Sequence, residues 1–372
     1  MKNLKTDPRH DGFRMPAEFE PHRGTLMTYP YRSDVWRLDG VPAQDNYMEV
    51  AAAIAKHEPV FVAVPPDLLA EAEARYPIPN VTFIPLESDD AWMRDNGPTF
   101  VINKDGHLRG VDWVFNAWGG DYDGLYKPWD TDDAMAEAIL KIWNVDRYRP
   151  QNFVLEGGSI HVDGQGLALV TESCLLSPGR NPHLDKRGIT TMLKRYLNVK
   201  KVIWLPYGVY NDNTNGHIDN IACFVAPGHV LIAIFDDKND PQYAMSQKSL
   251  KVLEKTLGVD GKFLKISKMI FPSELVYSSR DESKTVDEVD TSVPRPANKR
   301  LVASYLNFYI CNGAIIMPAF NLPSDPKAAQ ILQELFPDRD IIPIYSREIL
   351  LGGGNIHCIT QQIPLGTTND ER

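Results

Sequence analysis

Four stretches of the chain place two apolar, β-branched-rich runs around a short turn signal, and each reads as a β-hairpin. They cover residues 99–114, turning at Lys104-Asp105-Gly106; 159–171, turning at Asp163-Gly164; 220–235, turning at Pro227-Gly228; and 304–317, turning at Asn312-Gly313. Beside them the apolar positions recur every three and four residues. That spacing predicts helices over residues 45–56, 132–143, 186–197, 241–257 and 325–336. The apolar runs, such as 230–235 and 313–318, are of strand length and far short of the ~20 residues of a bilayer span.

The hairpins also echo one another in sequence. Asp95-Asn96-Gly97-Pro98-Thr99-Phe100-Val101 matches Asp219-Asn220-Ile221-Ala222-Cys223-Phe224-Val225 as D-N-x-x-x-F-V. Leu155-Glu156-Gly157-Gly158-Ser159-Ile160-His161 matches Leu351-Gly352-Gly353-Gly354-Asn355-Ile356-His357 as L-x-G-G-x-I-H. A repeated β-rich unit with one helix follows, and roughly five units of about 70 residues would fill the chain and close around an axis. No low-complexity stretch or Gly/Ser linker interrupts it, so residues 1–372 read as a single domain.

Composition is that of an ordinary globular protein, 43% hydrophobic and 24% charged, which leaves only the polar ends, residues 1–12 and 366–372, expected to be loose. The net charge of −10 argues against nucleic acid as a partner and weakly favours a cationic substrate. The first residues lack the apolar stretch of a signal peptide. Cys174, Cys223, Cys311 and Cys358 are scattered, with no CxxC pair and no zinc spacing. Free thiols in a reducing cytoplasm fit best, with no membrane association. A homo-oligomer is compatible with the sequence.

Candidate chemistry lies where the echoes differ. Cys358 stands where the other unit has Val162, close behind Gly352-Gly353-Gly354, a turn that can leave a thiol reachable. The competing reading is a small buried core residue, the usual fate of a free cysteine. The other three cysteines sit in apolar runs and read as core. His217 and Asp219 are two apart and would share a face of a strand; a satisfied loop histidine is the plainer reading. A zinc site is a third, but His357 and Cys358 are adjacent and would point to opposite faces if extended, and no second ligand cluster supports it. Asp95 holds the repeat position of Asp219, against the plainer role of a turn residue before Asn-Gly. Glu156 replaces Gly352 of the other unit, against the plainer role of an exposed strand end. Each plain reading is somewhat better alone. Together, a thiol, an imidazole and three carboxylates exceed what a neutral amide needs and suit a planar guanidinium with its fork of N–H donors.

At this point the motifs are recognisable. Met15-Pro16-Ala17-Glu18-Phe19-Glu20-Pro21-His22, Asp90-Ala91-Trp92-Met93-Arg94-Asp95 and Phe115-Asn116-Ala117-Trp118-Gly119-Gly120 resemble those of agmatine deiminases, as do the segments around Glu156, His217 and Cys358. The resemblance spans nearly the whole chain. It implies a five-fold pseudosymmetric α/β propeller of the guanidine-modifying superfamily. It also implies hydrolysis of a small cationic guanidine through a covalent amidino-cysteine, with no metal or organic cofactor. By resemblance Cys358 is the nucleophile, His217 the general acid and base, and Glu156 its helper and a substrate contact. Asp95 and Asp219 would grip the guanidinium, and Trp92, Trp118 and Gly352 would line the substrate. For the two tryptophans, core packing is an equal alternative. Leu26 and Tyr29 depart from tryptophans frequent in the family, and Asn213 from an acidic residue. The rival activity is an arginine or peptidyl-arginine deiminase. Agmatine is favoured over it because few basic residues beyond Arg94 and Arg180 stand near the motifs to meet a carboxylate, whereas Asp90 and Asp212 do stand there. A non-catalytic polyamine-binding scaffold would be expected to lose Cys358 or His217.

Overall fold

The computed structural model describes residues 1–371. Among these residues the strands form five separate sheets, and one pattern recurs: an antiparallel pair, a helix, and a strand returning parallel to the second member of the pair. A tight turn suffices for the antiparallel step, whereas a parallel return needs a crossover, which the helix supplies. Thr99–Ile102 pairs with Leu108–Val111, and Asp130–Ile142 leads back to Asp146–Tyr148. His161–Val162 pairs with Leu167–Thr171, and Lys186–Tyr196 leads to Lys201–Leu205. Ala222–Ala226, His229–Ile234, Pro241–Glu254 and Lys265–Ile270 repeat the order, as do Tyr309–Cys311, Ala314–Ala319, Asp325–Leu335 and Asp340–Tyr345.

All four expected hairpins and all five expected helices are therefore present, within a few residues of their expected ends. Asp185 accepts a hydrogen bond from Gly188 N at 2.7 Å and Asp240 from Gln242 N at 2.8 Å, so side-chain caps fix two of the helix starts. The fifth sheet has no turn signal because its antiparallel pair comes from opposite ends of the chain. Gln361–Pro364 lies against His22–Thr28, followed by the helix Val41–Ile54 and the parallel strands Val60–Val64 and Val81–Pro85.

Apolar side chains are buried between each helix and its sheet. Ile189 and Leu193 pack with Ala168 and Val170, and Leu250 and Leu253 with Val230 and Ile232. Each fully buried aliphatic contributes about 1.5–3 kcal/mol. The ends are not loose as expected. Asn3–Leu4 forms a strand parallel to Asp146–Tyr148, and Thr367 N donates to Gly106 O at 2.8 Å, so a sheet holds one tail and the turn of the first hairpin the other. Arg372 lies outside the described residues.

Candidate active site

Each hairpin is entered through a short turn or helix, and the polar residues that apolar packing excludes from the sheets gather there. The entries are the helix Met93–Asn96, the 3-10 turns Gly157–Ser159 and Ile218–Asn220, the loop 304–308, and the turn 355–360. They touch in a closed circuit. Gly158 N donates to Asp95 Oδ1 at 2.8 Å, and Glu156 Oε2 lies 3.6 Å from His217 Nε2. Asn307 Nδ2 donates to Asn220 Oδ1 at 3.0 Å and lies 3.2 Å from Cys358 Sγ. Arg94 N donates to Cys358 O at 3.2 Å and completes the ring.

The structure thus brings together all five residues read as catalytic. Asp95, Glu156, His217, Asp219 and Cys358 are each buried, so the reading of Glu156 as an exposed strand end fails. Asp95 Oδ2 accepts from Trp118 Nε1 at 2.9 Å and stands 3.9 Å from His217 Nδ1. Asp219 Oδ2 lies 3.6 Å from Cys358 Sγ. Only glycine fits at 158: a Cβ there would lie 2.6 Å from His217 Nδ1, 2.8 Å from Asp95 Oδ1 and 3.0 Å from Asp219 Oδ2. Gly353 has φ 111°, the left-handed turn that reverses the chain ahead of Cys358.

Asp95, His217, Cys358, Trp92, Trp118 and Gly352 line one cleft, which holds about 550 Å³ of empty space counted to its open mouth. Glu156 and Asp219 do not line it themselves; Glu156 reaches His217 Nε2 and Asp219 reaches Cys358 Sγ, each at 3.6 Å. Trp92 Nε1 donates to Asp90 Oδ2 at 2.8 Å, so the Trp92 ring is held at the wall, with Trp118 edge-on at 6.3 Å.

Three local expectations are corrected. His217 and Asp219 share the site on a 3-10 turn, not on a strand face. His357 and Cys358 do not diverge, because the backbone turns at 355–360, and both reach Asp219 Oδ2, at 2.9 and 3.6 Å. Cys174 lies on the short helix Glu172–Leu175, not in a strand. Cys223 and Cys311 are buried strand residues as expected. The scarcity of basic residues also fails. Arg295, distant from every motif in sequence, lines the cleft, and its Nη1 donates to Gly352 O at 2.6 Å. Lys299 donates to Asn213 Oδ1 at 2.8 Å nearby. Asp212 serves the loop, accepting from Thr214 N at 2.9 Å and His217 N at 3.2 Å.

Sequence reasoning also missed Asn307, Glu18, His357 and Arg180 as site residues. Asn307 lies at the entry of the fourth hairpin, where no echo of the other entries marks it. Glu18 belongs to the motif at residues 15–22, where no role was assigned to it. Arg180 Nε donates to Glu156 Oε1 at 2.7 Å, both side chains fully buried.

Charge is set by these neighbours. Burial pushes Asp95 up to about 6, with His217 pulling against it and Asp219 and Glu156 adding to it. Burial alone would raise Glu156, but Arg180 and His217 outweigh it and hold the carboxyl below its ordinary value. Burial opposes a charged His217, yet Asp95, Cys174 and Glu156 hold it well above the usual imidazole range. Burial, then Asp219 and Asp95, push the Cys358 thiol well up. Two trios, Glu18–His161–His357 and Glu156–Cys174–His217, present three donor atoms within 4.8 Å of one another, and neither was foreseen from spacing. Each has a guanidinium on its carboxylate, Arg94 at 3.5 Å from Glu18 and Arg180 on Glu156. A fixed positive charge there repels a metal ion.

The family model of the Porphyromonas-type peptidyl-arginine deiminases matches residues 14–364. The chain is 52% identical over 364 residues to the agmatine deiminase of Pseudomonas aeruginosa (strain LESB58), covering 98% of this chain and 99% of that one. The solved agmatine deiminase of Enterococcus faecalis superposes with a TM-score of 0.95 at 45% identity, covering 98% of this chain and 100% of that one. A cysteine-to-serine variant of the C. jejuni agmatine deiminase, solved with substrate bound, superposes with a TM-score of 0.82 at 26% identity, over 95% and 97% of the two chains.

Proposed function

The chain belongs to the Porphyromonas-type peptidyl-arginine deiminase family, and from that premise we propose a role for each residue of the cleft. Its reaction is the hydrolysis of agmatine to N-carbamoylputrescine and ammonia, the activity of its agmatine deiminase relatives. Its mixed α/β fold is the one those relatives have. The five repeated units form one domain and stand as blades of a pseudosymmetric propeller, with the circuit of entry turns at its axis. No described helix is long and apolar enough to cross a membrane. We place the chain in the cytoplasm, where its four free thiols would stay reduced.

The observation that carries the mechanism is the position of Cys358 Sγ, at the floor of a cleft that Asp95 and His217 also line, with Asp219 at 3.6 Å. The substrate's guanidinium lies between Asp95 and Asp219, which fix its plane and bring its carbon to the sulfur. Its cation offsets the carboxylates that hold the Cys358 proton on, so binding of the substrate releases that proton to solvent and leaves the thiolate. The thiolate attacks the guanidinium carbon. His217, charged before attack, gives its proton to the departing ammonia. Glu156, anchored by Arg180, holds the imidazole that remains. That imidazole then takes a proton from water, which adds to the amidino-thioether carbon. Collapse expels the Cys358 thiolate and leaves the ureido product. The methylene chain runs along Trp92 and Trp118, past Gly352, and the ammonium end meets Asp90. No step calls for a metal or an organic cofactor.

Arg295 favours a second reading. Its Nε is buried without a partner and could serve a carboxylate, as free arginine would bring. Ammonia release from agmatine, L-arginine and a blocked arginine peptide separates the two. Agmatine should be preferred by at least two orders of magnitude in kcat/KM; equal or better turnover of arginine would overturn the assignment.

A further inference from the structure

We propose that His357 is the positioning residue of the site: bridging Glu18 and Asp219 through both ring nitrogens, it fixes one oxygen of Asp219 and leaves the other for the guanidinium. The inference rests on the reading of Asp219 as a guanidinium ligand. His357 Nδ1 lies 2.9 Å from Asp219 Oδ2, and Nε2 lies 2.8 Å from Glu18 Oε2. A neutral imidazole offers one donor and one acceptor, and an ionised carboxylate only accepts. Two carboxylate partners therefore call for a ring protonated at both nitrogens. Asp219 Oδ1 is buried and has no partner within the protein.

The frame around the ring is fixed from several sides. Glu18 Oε1 accepts from Ile310 N at 2.8 Å. Arg94, 3.5 Å from Glu18, donates through Nη1 to Gln362 at 2.6 Å and through Nε to His357 O at 3.2 Å. His161 faces the His357 ring at 6.3 Å, and Cys358 follows on the same turn. Glu18 and Asp219 favour a charged His357, whereas Arg94 and the burial oppose it; the balance lies above the ordinary imidazole value. The Cys223 thiol, pushed well up by burial and by these same two carboxylates, stays neutral beside them.

The bridge explains an asymmetry between repeats. Asp95 and Asp219 hold the same repeat position, yet Asp95 is pushed up to about 6 while Asp219, its burial outweighed first by His357, is held below its ordinary value. His161 and His357 also hold one repeat position. Burial pushes His161 down to about 4, and its Nδ1 accepts from Phe224 N at 3.2 Å, so it is neutral where His357 is charged. One guanidinium ligand thus stays ionised over the working range, and the other takes up a proton in mild acid.

The test uses the full chain labelled with ¹⁵N-histidine, with His357 assigned by its loss in His357→Gln. At pH 7, above the ordinary imidazole value, both His357 nitrogens should carry protons in the wild type, while His161 is a neutral tautomer. A neutral His357 at pH 7 would overturn the proposal. Glu18→Gln keeps an acceptor for Nε2 but removes its charge, so the alkaline limb of kcat/KM should move to lower pH, as the ring loses its proton more easily. A residue that only packs would change the melting temperature and leave that limb in place, which would also overturn it. Absent turnover of agmatine by the wild type would count against the functional reading, and the NMR titration would still decide this one.

Discussion

A single methyl group at position 158 probes the site more sharply than the loss of any one functional group. In Gly158→Ala the new Cβ would lie 2.6 Å from His217 Nδ1, 2.8 Å from Asp95 Oδ1 and 3.0 Å from Asp219 Oδ2, where ordinary contact begins near 3.4 Å. Relief requires the imidazole to move by about 0.8 Å, and a misplacement of that order costs about 10²-fold in rate. Gly157 cannot yield instead, because a Cβ there would already lie 2.0 Å from Arg94 O, which shows how closely the two entry turns are packed. Overpacking should also destabilise the fold by about 1–3 kcal/mol. The assay is steady-state ammonia release from agmatine beside thermal melts. Gly188→Ala, in the helix Lys186–Tyr196, is the control, since its nearest neighbour is the flexible end of Leu184 at 3.2 Å. It should keep full activity and gain up to about 1 kcal/mol in stability. A Gly158→Ala protein with near wild-type kcat/KM would refute the claim that His217, Asp95 and Asp219 act from these positions.

Other consequences are more direct. His217→Ala should lose about 10²–10⁴-fold in kcat, since one residue serves both half-reactions; near-normal rates would remove it from the mechanism. Asp95→Asn and Asp219→Asn should each lose orders of magnitude in both kcat and KM, while Cys223→Ser keeps activity; a fully active Asp variant would return that residue to a turn role. The Asp95 carboxyl is raised in the fold to about 6, so the native state binds its proton more readily than the unfolded chain and stability falls as pH rises from about 4 to 6. Asp95→Asn should therefore melt higher than wild type above pH 6, with the gap closing towards pH 4; a constant gap would contradict the assignment of that shift. Arg180→Met leaves the Glu156 charge buried without its ion pair, and about 3–5 kcal/mol of stability should be lost, read by denaturant titration.

The hairpins and helices were legible because turn residues and apolar periodicity are local signals. The parallel strands Asp146–Tyr148, Lys201–Leu205, Lys265–Ile270 and Asp340–Tyr345 were not, being partly polar and lacking the turn signal that marks a hairpin. The pairing of Gln361–Pro364 with His22–Thr28 was invisible for another reason: its partners are separated by nearly the whole chain. At the site, the echoes located Asp95, Asp219, Glu156 and Cys358 because the repeat delivers equivalent positions to one place. Asn307 shares that placement but differs in residue type, so no match exposed it. Arg295 comes from a long loop with no periodicity, and only the folded backbone brings it to the Gly352 carbonyl. The charge of His357 depends on partners 138 and 339 residues away, a relation no local pattern carries.

The claim on which the rest depends is that Cys358 becomes covalently bound to the substrate's guanidinium carbon. Wild type and Cys358→Ala should be mixed with agmatine, quenched in acid and measured by intact mass, with ammonia release followed in parallel. The account predicts turnover by the wild type, an adduct equal to agmatine less ammonia on Cys358 that accumulates further in His217→Ala if hydrolysis is the slower step, and neither adduct nor ammonia from Cys358→Ala. Ammonia release by Cys358→Ala at a rate near wild type would contradict it.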